Sequence, residues 1–148
     1  MTGLIHMVNK TPLDWFCKKQ NTVETSTYGS EFTAGRIAVD QIIHLRYTLR
    51  MLGVPLEGPS IILGDNQSVI QSSMVPSYRL KKRHNILAYH RVREAVAAKI
   101  VRLIHLAGSE NPSDVLTKHR SSKEWYHLMR TFLAWEWRDE PVEADAAT

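Results

Sequence analysis

The amino-acid sequence predicts an α/β fold in which helices pack on a mixed sheet. Three observations predict it. Two strand-like segments, Gly3 to Val8 and Leu13 to Cys17, are joined by the turn-forming residues Asn9-Lys10-Thr11-Pro12. A long helical repeat follows, with Ala38, Ile42, Leu45, Leu49 and Leu52 spaced by four and three as one apolar stripe. The short apolar run Ser60-Ile61-Ile62-Leu63 then sits between Pro59 and a polar cluster, as a buried strand does.

The elements follow in order. The first two strands form an antiparallel hairpin. Ser26 to Tyr28 lead into the long helix, Gly53 ends it, and Val54 to Pro59 form a loop. The strand Ser60 to Leu63 precedes a short helix near Ser68 to Ser72, and Met74 to Ser77 are a connector. A further helix covers Asn85 to Ala98, with Ile86, Tyr89, Val92 and Val96 on or near one face. Ile100 to Leu106 is a mostly buried strand. Asn111 caps the next helix with Pro112 in its first turn. Ser122 to Trp135 is a last amphipathic helix, and residues 138–148 are an acidic tail expected to be disordered. The strand after the long helix is expected to lie parallel to a neighbour.

Composition narrows the class. A chain of 148 residues at 43% hydrophobic makes one ordinary domain with a real core. No apolar run approaches the roughly 18 residues of a membrane span, and the N-terminus lacks a signal-peptide pattern. The single Cys17 allows no internal disulfide and no cysteine metal cluster. An intracellular setting and no membrane partner are therefore expected. The net charge of +4 is uneven. Arg79, Lys81, Lys82, Arg83, Arg91, Arg93, Lys99 and Arg102 face Glu94 alone, whereas Asp139, Glu140, Glu143 and Asp145 close the chain. Such a basic stripe suits a phosphate backbone, although a solvated helix face would look the same. Only Tyr78 and Tyr89 lie near it, which favours gripping a backbone over stacking on single-stranded bases.

Three acids carry the candidate chemistry. Asp65, in Gly64-Asp65-Asn66-Gln67-Ser68, ends a strand where open α/β sheets place their sites. Asp65 or Asn66 could equally cap the next helix. Glu31 lies seven residues before Ala38, on the apolar stripe of the long helix, where a carboxylate is costly unless paired, protonated or metal-bound. A dipole-stabilised acid at a helix start is the alternative. Asp114, three residues after Asn111, has the same two readings. Together the three could meet at one edge of the sheet. A carboxylate cluster of that kind suits magnesium, and two such ions about 4 Å apart serve phosphodiester cleavage.

The motifs also match a known family. Lys18-Lys19-Gln20-Asn21-Thr22-Val23 and Ser26-Thr27-Tyr28-Gly29-Ser30-Glu31-Phe32 come first, followed by Asp65-Asn66-Gln67-Ser68. Lys82-Arg83-His84-Asn85-Ile86 follows, with Tyr89-His90, Arg93 and Glu94, and Asn111-Pro112-Ser113-Asp114-Val115-Leu116-Thr117-Lys118 closes the set. In this order and spacing, from Gly3 to Trp135, they resemble the ribonuclease H domain of Ty1/copia-type retrotransposon polyproteins. The resemblance implies a ribonuclease H-like domain over residues 1–137. It implies cleavage of RNA in RNA–DNA hybrids with two Mg2+ ions, or Mn2+ in their place. By position Glu31, Asp65 and Asp114 match catalytic, metal-binding carboxylates, and His105 lies near an auxiliary histidine. Arg79, Lys81, Lys82, Arg83 and Arg91 would grip the nucleic acid. The implied partners are an RNA–DNA hybrid and the reverse transcriptase region of the same polyprotein, in the cytoplasm or a virus-like particle.

One departure stands out. The family's sheet begins with a strand carrying a further metal-binding aspartate, upstream of the strand that Gly3 to Val8 matches. The domain is therefore expected to be N-terminally truncated, with sheet edges left unpaired, and weakly active or inactive by itself. Two other readings stay open: a non-catalytic nucleic-acid-binding remnant, and a related polynucleotidyl transferase such as an integrase core. The long helix after the hairpin and the Leu116-Thr117-Lys118 block favour the ribonuclease H type.

Overall fold

The computed structural model describes residues 1–9, 11–20, 27–74 and 86–133. Strands β1 (Thr2–Val8) and β2 (Thr11–Lys18) form the expected hairpin, with Thr2 opposite Lys18 and a register shift between His6 and Met7. Asn9 takes a positive φ of 57° in the turn, a conformation asparagine tolerates better than most residues. Helix α1 (Thr27–Met51) ends where Gly53 adopts φ 76°. Strand β3 (Ser60–Gly64), helix α2 (Gln67–Met74), helix α3 (Ile86–Ala97) and strand β4 (Val101–His105) follow. A 3-10 turn (Pro112–Leu116) and helix α4 (Ser122–Leu133) complete the described chain. No described helix is long and apolar enough to cross a membrane. The basic residues Arg79, Lys81, Lys82 and Arg83 and the acidic tail lie outside the described residues.

A single mixed sheet was expected, and the described residues instead form two separate pairs. β1 and β2 are antiparallel, whereas β3 and β4 are parallel, with Ser60 opposite Val101 and Gly64 opposite His105. Among the described residues no strand hydrogen-bonds both β1 and β3, so nothing joins the two ladders. The parallel relation expected for β3 is present.

The core lies where α1, α3 and the β3–β4 pair meet. Phe32, Val39 and Ile42 of α1 face Ala88, Tyr89, Val92 and Ala95 of α3, with Val101 and Leu103 of β4 beneath. The Phe32 and Tyr89 rings meet edge-on at 5.5 Å, a favoured aromatic arrangement. The buried stripe of α1 is shorter than its periodicity suggests. Ala38 and Ile42 are buried and Leu45 and Leu49 half-buried, but Leu52 lies just past the end of the helix and is 73% exposed. Ile86, at the opening of α3, is exposed. Ile61 and Leu63 alternate with Ile62 along β3, and only Ile62 meets the core.

Gly3 lets β1 lie against the 3-10 turn. A Cβ there would meet Thr117 Cγ2 at 2.6 Å, Ser113 O at 3.0 Å and Leu116 Cβ at 3.1 Å. Gly3→Ala is therefore expected to destabilise the chain by about 1–3 kcal/mol through overpacking. Urea unfolding checks this, and an unchanged midpoint would contradict the close approach.

Candidate functional site

The parallel pairing of β3 and β4 brings two strand ends side by side. Leu106 N–H donates to Gly64 O at 2.9 Å, which carries the pairing one residue past the end of β4. Asp65 follows Gly64 in the short turn before α2. The capping ambiguity resolves here. Asn66 Oδ1 accepts from Ser68 N at 3.1 Å and Val69 N at 3.2 Å, so Asn66 caps α2. Asp65 is left free to face the loop after β4, where its Oδ2 lies 3.8 Å from the Cβ position of Gly108. Its side chain is 28% exposed.

Asp114 reaches the same place from the 3-10 turn. Asn111 is the cap, as expected, and its Oδ1 accepts from Ser113 N at 3.2 Å and Ser113 Oγ at 2.7 Å. The element is a short 3-10 turn whose last backbone bonds return to Asp114 O. The Asp114 side chain is only 6% exposed, and two cations neutralise it. Lys118 Nζ lies 2.8 Å from Oδ2, and Arg120 Nη2 donates to the same oxygen at 2.5 Å. Lys118 Nζ also stands 3.9 Å from Asp65 Oδ2, bridging the two acids.

Glu31 comes in from α1. The helix starts at Thr27 and has no acid in its first turn, so the first-turn dipole reading of Glu31 does not hold. Burial pushes the Glu31 carboxyl above its ordinary value of 4.5. The negative charges of Asp65 and Asp114 push the same way, while Lys118 opposes them. The three predicted acids therefore share one electrostatic site.

The site does not close around a metal in this conformation. Carboxylate oxygens have the right chemistry for Mg2+. Yet among the described residues no group of three His, Cys, Asp or Glu side chains could hold an ion. The buried Asp114 oxygen is already taken by Lys118 and Arg120. A divalent ion binding through that oxygen would compete with the Lys118 ammonium.

The remaining candidates are placed elsewhere. His105 ends β4 with an exposed side chain, opposite Gly64. Arg91 lies on α3, with Nε 2.9 Å from Asp40 Oδ1 and Nη1 3.3 Å from Glu94 Oε2, so its charge is partly matched within the chain. Lys118 and Arg120 were not singled out as site residues from the sequence. The i,i+4 spacing of Asp114 and Lys118 was the available signal for the first. Nothing local marks Arg120.

Comparison with known proteins identifies the background of these motifs. The retrovirus-related Pol polyprotein from transposon TNT 1-94 of Nicotiana tabacum is 29% identical over 117 residues, 79% of this chain and 9% of that polyprotein. The Pol polyproteins from transposons RE2 and RE1 of Arabidopsis thaliana are each 26% identical, over 86% and 78% of this chain. The chain is a relative of Ty1/copia-type retrotransposon Pol polyproteins. This Pol-related chain spans less than a tenth of the length of the curated relatives it matches. No family model and no solved structure matches it.

Two predictions follow from the charge arrangement. Asp114→Asn should destabilise the chain by about 3 kcal/mol, because it leaves Arg120 unpaired in a mostly buried position. Asp65→Asn should change stability by less than about 1 kcal/mol, its ion contact being long and partly exposed. Urea titration of both variants checks the contrast, and equal effects would contradict it. The raised Glu31 value means that the folded chain holds this proton more tightly than the unfolded chain. Its stabilising contribution is present below pH 4.5 and is lost as pH rises through the folded value. Glu31→Gln should therefore melt higher than the parent chain at pH 7 in EDTA, with the gain shrinking toward pH 4.5. A parent chain that melts higher at pH 7 would contradict this.

Proposed function

We propose that the chain is the ribonuclease H-like part of a retrotransposon Pol polyprotein. It engages RNA–DNA hybrids beside the acids at the β3 and β4 strand ends. Hydrolysis by the chain alone is weak or absent. The observation that carries this reading is the shared site of Glu31, Asp65 and Asp114, which come from three separated elements. A capping role, which would account for any one acid alone, does not account for Asp65, since Asn66 caps α2.

The two separate strand pairs support the same reading. A ribonuclease H-like sheet without its first, central strand would leave two pairs and unpaired edges of this kind. The reverse transcriptase region of the parent polyprotein is then the natural covalent neighbour. Mg2+ is the ion the resemblance implies, and it would supply Lewis-acid chemistry at the scissile phosphate. No step through it is assigned to this conformation, in which Lys118 and Arg120 hold Asp114.

Those two cations favour one alternative, a nucleic-acid-binding remnant without catalysis. A site neutralised by its own lysine and arginine can lie beside a phosphate backbone without metal. The two readings separate in one experiment. The chain and its Asp65→Asn variant are incubated with a labelled RNA–DNA hybrid in Mg2+, and cleavage and binding are both followed. Weak cleavage abolished by Asp65→Asn supports the ribonuclease reading. Binding without cleavage, unaffected by Asp65→Asn and weakened by salt, supports the remnant. Robust cleavage lost in Asp65→Asn would overturn the expectation of low activity.

A further inference from the structure

We propose that a cleft between the hairpin and α1 is a binding site for a backbone phosphate of a nucleic-acid strand, separate from the acidic site. The cleft measures about 240 Å3 and is lined by Thr2, Lys18, Lys19, Gln20, Thr33 and Arg36, among others. It rests on the reading of the chain as a nucleic-acid-binding protein and names an anchor within it.

The cleft is built by a staple. Gln20 Nε2 donates to Thr2 Oγ1 at 2.8 Å and to Ser30 O at 2.9 Å. This ties the end of β2 to both the start of β1 and the opening turns of α1. Thr2 itself is 2% exposed, so the floor is fixed. Lys18 and Lys19 are thereby held beside Arg36, and all three side chains stay exposed. Among the described residues none of the three has a carboxylate within ion-pair distance. Arg91, Lys118 and Arg120, by contrast, all have internal acidic partners. Three like charges around one cleft repel each other unless an anion sits between them.

The chemistry selects a phosphodiester over a nucleotide base. Among the described residues no aromatic side chain lines the cleft, so none of them offers a stacking face there. The available groups are the ammonium and guanidinium ends of Lys18, Lys19 and Arg36, which contact phosphate without reading sequence. At 3.6 residues per turn, Thr33 and Arg36 lie on the side of α1 away from Glu31. The cleft and the acids are thus separated by about one helix width, roughly 10 Å. One strand can then be held at the cleft while a different stretch of the duplex lies over the acids.

The test is fluorescence anisotropy with the full chain in EDTA, so that cleavage plays no part. A labelled RNA–DNA hybrid and a labelled DNA duplex are titrated across a range of NaCl concentrations. The triple variant Lys18→Ala/Lys19→Ala/Arg36→Ala is compared with Arg50→Ala/Lys123→Ala/Arg130→Ala, which removes the same charge elsewhere. Circular dichroism confirms that both variants are folded. The cleft variant is expected to bind at least tenfold more weakly near 0.1 M salt. Its plot of log K against log salt should be shallower by about 1, since the cleft holds one phosphate and each phosphate contact contributes roughly 0.9. The control set should leave that slope unchanged. Equal losses in both variants, an unchanged slope in the cleft variant, or no binding by the parent chain would overturn the proposal. A slope loss seen on DNA duplex without any binding of the hybrid would sustain the cleft and refute the hybrid reading.

Discussion

A carboxylate buried in a protein must be neutralised, and the arrangement of this chain around Asp114 follows from that requirement. Its side chain is almost fully enclosed, and Lys118 and Arg120 supply the compensating charge on one oxygen. Each cation does a second job. Lys118 reaches across to Asp65 at the end of β3, and Arg120 Nη2 also approaches Gly108 O in the loop after β4. One buried acid thus ties together the turn Pro112–Leu116, the segment that follows it and the two parallel strand ends. The close approach of Gly3 to Ser113 and Thr117 adds the hairpin to the same assembly.

The electrostatic balance of the site has two sides. Burial and the charges of Asp65 and Asp114 favour the protonated form of Glu31, while the more enclosed Asp114 is held by Lys118 and Arg120. Two basic residues offset the repulsion and let the fold hold the acids together without an ion. The same residues occupy the oxygen a divalent ion would need. A site of this kind is balanced by the protein's own cations.

The core is narrower than the site. Phe32 and Val39 of α1 close against Tyr89 and Val92 of α3, and the buried face of β4 lies under them. The hairpin contributes little to this cluster, and β2 is exposed along most of its length. Ile61 and Leu63 on β3 are uncovered. Among the described residues the parallel pair therefore rests on helices from one side, while the hairpin is held by its contacts with α1 and the 3-10 turn. Among the described residues the α/β pattern is thus carried by two short ladders that are covered in different ways.

The sequence by itself determined the order and kind of nearly every element, because periodicity, turn residues and caps are local signals. It also determined which acids to watch, since a carboxylate beside an apolar strand or on an apolar helix stripe is visible without coordinates. The family background was legible in the ordered motifs for the same reason. The tertiary structure decided what local pattern cannot carry. It separated the strands into two pairs, because pairing depends on which distant segments are present to hydrogen-bond. It ended the buried stripe of α1 before Leu52, because burial depends on what lies opposite. It gave the capping role to Asn66 and left Asp65 free, and it brought Lys118 and Arg120 onto Asp114. Whether a charge is matched depends on neighbours in space, and the cation that matches Asp65 lies far along the chain.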